Sequence, residues 1–231
     1  MEKIIKLTII ILLLAGVAGY FFLVKDSNKK VIENIPTKTA AVSGVKIIAF
    51  GDSLTAGYDL PVDESYPAQL EAALKAKGKN VSVINSGVSG ETTRGNLERA
   101  PFIRSQNPDI VLLGIGGNDA LRTLPVEETK KNISETIDIL KSGENPPVVI
   151  LLQMQAPLNA GLSYKRTFDA LYQDIATSKG VMLLPFLTTE IFLKQENKIS
   201  DGIHLNKVGY GKVVEQYLLE PVSEVVTKLG G

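Results

Sequence analysis

The sequence contains no cysteine and no tryptophan, and His204 is its single histidine. The lack of cysteine excludes disulfides, thiolate metal sites and a cysteine nucleophile, and it leaves the redox compartment open. One histidine cannot build a metal centre that needs several imidazoles, so any imidazole chemistry must use His204. The chain also lacks net charge, because 25 acidic side chains balance 25 basic ones. A dedicated nucleic-acid-binding protein needs a basic surface, and we therefore predict no nucleic-acid partner.

An uncharged apolar run near the start of the chain separates this segment from the rest of the sequence. The run extends from Leu7 to Val24, and its 18 residues would span roughly 27 Å as a helix, close to the hydrocarbon thickness of a bilayer. This length favours a retained hydrophobic helix over residues 1–24 that anchors the protein in a membrane. The alternative is a cleaved signal peptide, with small residues at 16–18 as the cleavage site.

Both interpretations of the apolar run imply export. Lysines lie on both sides of it, so the positive-inside rule does not settle its orientation. We expect a protein anchored on the outer face of the cytoplasmic membrane or, after cleavage, a secreted or periplasmic one. Residues 25–44 are polar, contain Pro36 and lack periodic apolar positions, which predicts a tether. The remaining residues, 45–231, have the length of one domain.

Short apolar runs rich in branched residues alternate with amphipathic helical patterns over residues 45–231. Each run is apolar on both faces, as expected for a buried strand. Such an alternation indicates an α/β fold with a five-stranded parallel sheet between helix layers. In these sheets, binding and reactive groups gather at the carboxyl ends of the strands. The predicted strands are Val45–Phe50, Val81–Ile84, Ile110–Ile115, Val148–Met154 and Val181–Leu184.

The loop after the first predicted strand carries a candidate nucleophile. Its sequence, from Gly51 to Tyr58, is GDSLTAGY. A serine at the carboxyl edge of a strand, beside glycines that permit a tight turn, is well placed for nucleophilic attack. Ser53 could equally serve only to cap the following helix. No Gly-x-Ser-x-Gly elbow occurs in the chain, which argues against an α/β-hydrolase arrangement.

Two further loops carry groups that could bind an anion. The loop after the second strand contains Gly90, and a glycine lets a backbone N–H come close to a ligand. The third strand is followed by GGND at residues 116–119, in which the Asn118 amide could donate to a developing oxyanion. Taken alone, the Gly90 loop is better explained as an ordinary flexible turn, and the alternative for residues 116–119 is an Asn-Asp turn that closes the strand. The glycine spacing excludes a P-loop and a dinucleotide fingerprint.

A candidate base lies near the C-terminus, in the sequence Asp201-Gly202-Ile203-His204. Gly202 permits a tight bend, so the Asp201 carboxylate can reach the Nδ1 atom of His204. That hydrogen bond would fix the tautomer and leave Nε2 free to accept a proton. A lone histidine is more often a passive residue, and the nearby aspartate is what distinguishes this one.

Taken together, the four motifs closely resemble those of the GDSL family of serine esterases, also called SGNH hydrolases. The resemblance extends over about residues 45–229. Gln153-Met154 and the sequence LLPF at 183–186 are similar to a bacterial subgroup of multifunctional thioesterases, arylesterases and lysophospholipases. The four family blocks are matched in order by GDSLTAGY at 51–58, Gly90, GGND at 116–119 and DGIH at 201–204.

The resemblance implies a flavodoxin-like three-layer α/β/α sandwich and a role for each marker residue. Ser53 would be the nucleophile and His204 the general base, with Asp201 orienting the imidazole. The oxyanion hole would comprise the backbone N–H groups of Ser53 and Gly90 and the side-chain amide of Asn118. Leu121 and Leu124 would line an acyl pocket, unless they are solvent-facing loop residues.

The function implied by the resemblance is hydrolysis of carboxylic ester or thioester bonds through an acyl-enzyme on Ser53. The substrate would be a small acyl ester or a lipid-like molecule, the catalytic domain would be monomeric, and neither a metal ion nor an organic cofactor is implied. The nearest alternative is a carbohydrate O-acetylesterase with the same catalytic residues. A non-catalytic membrane-tethered binding module or a flavin-binding protein would leave the full marker set without a use.

Overall fold

The computed structural model describes residues 24–36 and 44–231. Its strands are β1 (Val45–Gly51), β2 (Val81–Gly87), β3 (Ile110–Gly114), β4 (Val148–Gln153) and β5 (Met182–Pro185). They form one parallel sheet in the order β2-β1-β3-β4-β5, an order common among doubly wound α/β proteins. The predicted α/β fold with a five-stranded parallel sheet is confirmed. The predicted hydrophobic helix covers residues 1–24, and residues 1–23 lie outside the described part of the chain.

Helices connect the strands and flank the sheet. Residues 24–33 are helical and are called α1. The later helices are α2 (Ser53–Ala56), α3 (Tyr66–Ala76), α4 (Thr93–Ser105), α5 (Gly117–Leu121), α6 (Val126–Leu140), α7 (Leu162–Lys179), α8 (Thr189–Phe192), α9 (Lys207–Val213) and α10 (Leu219–Lys228).

The middle of the sheet is apolar on both faces because helices cover both. All five residues of β3 are buried, and residues 47–50 of β1 have no exposed surface. Each flanking helix buries only one side, as α6 does with Ile133 and Ile137. The sheet is therefore a rigid support for the loops at its carboxyl ends.

The turn after β1 depends on the small size of Gly51. In the sheet, Gly51 pairs with Gly114 of β3. A Cβ atom at Gly51 would lie 2.1 Å from the Thr55 Oγ1 and 2.4 Å from the Gly114 carbonyl oxygen. Only glycine allows this close approach, so the chain can turn directly from the sheet into α2.

The last helical region changes its hydrogen-bonding pattern near Pro221. A π-helical segment, Val214–Leu218, joins α9 to α10 just before the proline. Proline has no N–H, and its ring displaces the carbonyl four residues earlier. The wider π turn accommodates this change in hydrogen bonding without separating the two helices.

Side chains bond the backbone of both edge strands. At β5, the Asn28 Nδ2 of α1 donates to the Leu183 carbonyl at 2.8 Å, and the Asn28 Oδ1 accepts from the Leu183 N–H at 2.9 Å. At β2, the Glu71 Oε2 of α3 accepts from the Val83 N–H at 2.7 Å. These contacts occupy backbone groups that could otherwise pair with another chain.

Residues 24–36 differ from the predicted tether. They form α1 and the turn after it, and four apolar side chains pack against the core. Three of them lie within α1 and the fourth in the turn after it, a local pattern that a polar average composition conceals. Residues 37–43, the rest of this stretch, lie outside the described residues. Among the described helices, none combines the length and apolar character needed to cross a membrane. The four packed residues are Val24, Val31, Ile32 and Ile35.

Candidate active site

Three side chains that the sequence analysis singled out are in direct contact. The Ser53 Oγ lies 2.7 Å from the His204 Nε2, and the His204 Nδ1 lies 2.5 Å from the Asp201 Oδ2. An imidazole that donates its Nδ1 hydrogen to a carboxylate keeps Nε2 free to accept a proton from the hydroxyl. The arrangement can therefore activate Ser53 as a nucleophile.

The turn before α9 holds the Asp201 carboxylate by both oxygens. The Oδ1 atom accepts from the backbone N–H groups of Ile203 at 2.8 Å and His204 at 3.0 Å. Gly202 has a φ of +72°, a left-handed conformation that glycine adopts without strain. Partial burial raises the pKa of Asp201, but the His204 side chain and the two N–H groups lower it more, so the net pKa is below its usual value. Asp201 is thus ionised at neutral pH and can stabilise a protonated imidazole.

Asp52, rather than Ser53, caps helix α2. Its Oδ1 atom accepts from the Leu54 N–H at 3.0 Å. Ser53 is the first residue of the helix, and its hydroxyl contacts His204 instead. The capping role that competed for Ser53 in the sequence analysis therefore belongs to its neighbour.

Asn118 occupies the first turn of α5 and lines the same cavity as Ser53 and His204. Its Nδ2 atom donates to the Glu91 carbonyl at 3.0 Å. A side-chain amide nitrogen carries two hydrogens, so this bond orients the amide and leaves a second hydrogen for a ligand. Asn118 can accordingly act as a hydrogen-bond donor beside the serine.

Gly90 lies directly before Glu91, in the loop after β2. Its φ is +80°, and its carbonyl accepts from the Arg122 Nη2 at 3.0 Å. Gly90 is not among the residues that line the cavity. The role predicted for its N–H therefore stays a prediction.

A cavity of about 370 Å³ opens beside Ser53 and Asn118. Leu121 lines it and is 50% exposed, so part of its surface is free to contact a ligand. Leu124 is not among the lining residues, and its carbonyl accepts from the Tyr164 hydroxyl at 2.9 Å. Most of the wall is apolar. It includes Leu54, Met154, Leu158, Leu187, Phe192 and Leu193.

Sequence reasoning did not identify the wall formed after β4 and β5. Leu158 follows β4, whereas Leu187 and Phe192 follow β5. The rule that sites lie at the carboxyl ends of parallel strands indicates these loops in general. No motif marks the individual residues, because an apolar pocket wall needs only suitable size and shape.

A buried polar cluster supports the loop that carries Asn118. The Asp119 carboxylate accepts from the Thr93 N–H at 2.9 Å and from the Thr93 hydroxyl at 2.6 Å. The Thr93 hydroxyl in turn accepts from the Asn132 Nδ2 at 3.1 Å. These bonds join α4, α5 and α6. Over residues 24–36 and 44–231, no group of three or more His, Asp or Glu side chains is arranged to hold a metal ion.

Asp52 is buried beside the nucleophile and has 1% of its surface exposed. Burial raises its pKa to about 7, and the carboxylates of Asp119 and Glu91 add to this effect, while the Leu54 N–H opposes it. The folded protein therefore binds the Asp52 proton more tightly than the unfolded chain does. As pH rises from 3.8 to about 7, the free energy of unfolding should fall, with little further change above that range.

We expect Asp52→Asn to remove this pH dependence. The amide oxygen can still cap α2, and the side chain cannot ionise. The stability advantage of the variant should grow by about 2 to 3 kcal/mol between pH 5 and pH 8, out of a total of at most about 4 kcal/mol over the whole titration. Urea unfolding at pH 5 to 8 measures the difference, with exposed Asp63→Asn as the control. A stability difference that stays constant over this range would contradict the assignment.

Known proteins share sequence similarity with most of this chain. A model of the GDSL-like Lipase/Acylhydrolase family matches residues 49–212. An arylesterase from Vibrio mimicus is 38% identical over 167 residues, which are 71% of this chain and 82% of the relative. Thioesterase 1/protease 1/lysophospholipase L1 from Escherichia coli (strain K12) is 34% identical over 168 residues, 72% of this chain and 78% of the relative.

A solved structure extends the similarity to three dimensions. AlinE4, an SGNH-hydrolase family esterase with a crystal structure, has 36% sequence identity to this chain. The two structures superpose with a TM-score of 0.62 over 71% of this chain and 91% of the AlinE4 chain. The family match spans more than half of the sequence and includes the contact between Ser53 and His204. The chain therefore belongs to the GDSL-like lipase/acylhydrolase family, the SGNH hydrolases, and is an esterase/lipase-type hydrolase of ester bonds.

Proposed function

We propose that the enzyme cleaves acyl esters and thioesters through an acyl group carried on Ser53. The Ser53 Oγ attacks the substrate carbonyl carbon while its proton passes to the His204 Nε2, and Asp201 stabilises the imidazolium. The bond to the leaving alcohol or thiol then breaks, and His204 returns the proton to that group. Water, deprotonated by His204, attacks the acyl carbon; the bond to the Ser53 Oγ breaks, His204 returns the proton to that oxygen, and the acid leaves. The 2.7 Å contact between Ser53 and His204 supports this sequence of steps.

The proposed oxyanion hole comprises the backbone N–H groups of Ser53 and Gly90 and the side-chain amide of Asn118. Negative charge develops on the carbonyl oxygen as Ser53 attacks, and fixed donors stabilise it without reorganising. The hydrogen bond from Asn118 to the Glu91 carbonyl supports the role of Asn118, because it restricts the amide before substrate arrives.

The apolar wall of the cavity carries the proposal for the substrate. An acyl chain gains about 0.8 kcal/mol for each methylene that it buries, whereas sugar hydroxyls lose hydrogen bonds against such a wall. We therefore favour acyl chains longer than acetyl, on an ester, thioester or lysophospholipid-like leaving group, over an acetylated carbohydrate. The printed names of the relatives, an arylesterase and a thioesterase/lysophospholipase, support this range.

A hydrolysis panel tests the substrate class. It contains p-nitrophenyl esters and acyl-CoA thioesters from two to sixteen carbons, a lysophospholipid and an acetylated xylo-oligosaccharide, with Ser53→Ala as the blank. We expect kcat/KM to rise by up to about fourfold per added methylene until the cavity is filled, since 0.8 kcal/mol corresponds to about that factor.

The opposite ranking would overturn the substrate assignment. If the acetylated sugar is hydrolysed faster than every ester longer than acetyl, the O-acetylesterase alternative is correct. Leu158→Ser offers a matched variant at the cavity wall, since Leu158 is 67% exposed and can be replaced with little effect on the core. It should reduce kcat/KM for long esters and leave that for acetyl esters unchanged.

We also propose that residues 1–24 hold a monomeric catalytic domain at the outer face of the cytoplasmic membrane. The length of the uncharged run from Leu7 to Val24 supports a retained anchor. The N-terminal sequence of the mature protein, purified from the membrane fraction, distinguishes this anchor from a cleaved signal peptide.

A further inference from the structure

Arg99, in the second turn of α4, forms a bidentate ion pair with Glu91. The Arg99 Nε donates to the Glu91 Oε1 at 2.7 Å, and the Arg99 Nη2 donates to the Glu91 Oε2. The side chains are largely shielded, with exposed fractions of 27% for Arg99 and 11% for Glu91. The Asn96 Nδ2 also donates to the Glu91 carboxylate. The pair is therefore held in one geometry by more than its charges.

The same guanidinium bonds the carboxyl ends of two neighbouring strands. Arg99 donates to the Ser86 carbonyl of β2 at 3.2 Å through Nη1 and to the Gly51 carbonyl of β1 at 3.3 Å through Nη2. Its Cζ lies 4.8 Å from the centre of the Phe50 ring, over the ring face. One side chain thus joins the ends of β1 and β2 to the loop that contains Glu91.

These three segments carry or orient all the proposed oxyanion donors. Gly51 lies two residues before Ser53, and Gly90 directly precedes Glu91. The Glu91 carbonyl accepts from the Asn118 amide at 3.0 Å. A change in the position of Glu91 would therefore move the Gly90 N–H and release the Asn118 side chain.

We propose that Arg99 and Glu91 are positioning residues that hold the three oxyanion donors at fixed mutual distances. The proposal rests on the acyl-enzyme function of Ser53. Neither side chain is among those that line the cavity, so both act through other groups. Only arginine supplies enough fixed donors for a carboxylate and two carbonyls at once, and lysine offers a single charged centre with different geometry.

The first test is Arg99→Lys, which keeps the positive charge and removes the planar set of guanidinium N–H donors. We expect kcat to fall about 10- to 100-fold, because a small misplacement of catalytic groups costs factors of this size, while KM changes less than about twofold. Arg104→Lys is the matched control on the same helix. Arg104 also bonds two backbone carbonyls, of Ser142 at 2.9 Å and Glu144 at 2.6 Å, and these lie away from the cavity.

Arg104→Lys should keep the wild-type kcat. A kcat for Arg99→Lys within about twofold of wild type would overturn the proposal, and so would an equal loss in both variants. Thermal unfolding of both proteins, measured in parallel, shows whether any loss of kcat follows a loss of folded protein rather than of catalytic geometry.

A double-mutant cycle with Asn118→Ala separates positioning from general stability. If Arg99 acts through the oxyanion donors, Arg99→Lys should reduce kcat much less in the Asn118→Ala background than in the wild type. Affinity for an alkyl boronic acid, which forms a tetrahedral adduct with the serine, should fall by about the same factor as kcat. Fully additive losses, or unchanged boronic acid affinity, would count against the proposal.

Glu91→Gln provides a second variant should Arg99→Lys fail to fold. It keeps the backbone carbonyl that binds Asn118 and removes the charge that holds Arg99. The same double-mutant cycle with Asn118→Ala then tests the proposal. A non-additive loss of kcat supports it, and an additive loss of kcat counts against it. Labelling of the wild type by a fluorophosphonate reports on the proposed function separately. A wild-type enzyme that neither turns over nor labels would refute the acyl-enzyme function, whereas an active, labelled wild type with an unaffected Arg99→Lys variant refutes only the positioning role.

Discussion

Replacement of Ser53 by alanine is expected to lower kcat by at least about 10⁴-fold and to abolish covalent labelling by a fluorophosphonate. The reaction proposed here needs an oxygen nucleophile at this position, and the residual rate would come from the oxyanion donors and substrate binding alone. The substitution removes one hydroxyl from a side chain that is 8% exposed, so the fold should be retained. Intact-mass spectrometry after labelling, together with turnover of a p-nitrophenyl ester, measures both effects.

Ser89→Ala is the control for this experiment. Ser89 is exposed in the loop after β2, one residue before Gly90. It takes no part in the hydrogen bond between Ser53 and His204. It should label and turn over like the wild type. Persistent labelling of Ser53→Ala would mean that another serine is the nucleophile.

Asn118→Ala is expected to lower kcat by about 100- to 1000-fold, the effect of removing one oxyanion donor, equivalent to roughly 3–4 kcal/mol in the barrier. KM should change little, because the bond to the oxyanion forms fully only in the transition state. The lost hydrogen bond to the Glu91 carbonyl should cost about 1 kcal/mol of stability. Steady-state kinetics and urea unfolding of the same preparation separate the two effects.

Asn159→Ala provides the matched comparison, because Asn159 lines the same cavity and is exposed. Its kcat should stay within a few-fold of the wild-type value. Equal rates for Asn118→Ala and the wild type would remove Asn118 from the oxyanion hole and leave the backbone donors to stabilise the charge.

Much of the fold follows from local patterns in the sequence. All five strands were predicted, because a strand in the interior of a parallel sheet must be apolar on both faces, and such runs are easily distinguished from helices with one apolar face. Element ends were less well defined. The second strand extends to Gly87 rather than Ile84, since backbone pairing with β1 continues through polar residues that carry no hydrophobic signal.

The triad contact was predictable for a different reason. Nucleophile, base and orienting acid need particular side chains, and the chain offers one histidine with an aspartate three residues before it. Residues that act through shape or through backbone carbonyls leave no comparable signal. Arg99 is one of many basic residues until the structure places its guanidinium between two strand ends. Asp52 likewise looked like part of a family motif, and its burial is visible only in the fold.

Helix α1 shows how composition alone can mislead. The stretch from Asp26 to Ser43 is polar on average, and Pro36 suggested an irregular chain. Apolar residues at 24, 31 and 32 in α1 and at 35 in the turn after it nevertheless pack against the domain. The spacing over this short window, rather than its average polarity, held the relevant information.

The attachment of Asn28 to Leu183 determines what a cut in the N-terminal part of the chain would expose. Cleavage at the small residues at 16–18 would leave α1 on the secreted product, with the β5 edge still shielded. The domain would then keep the same protected edge with or without the residues before α1. A protease that cut after residue 36 would instead release a domain whose edge strand β5 has lost its bonds to Asn28. Such a fragment should pair with its own copies through this edge and precipitate.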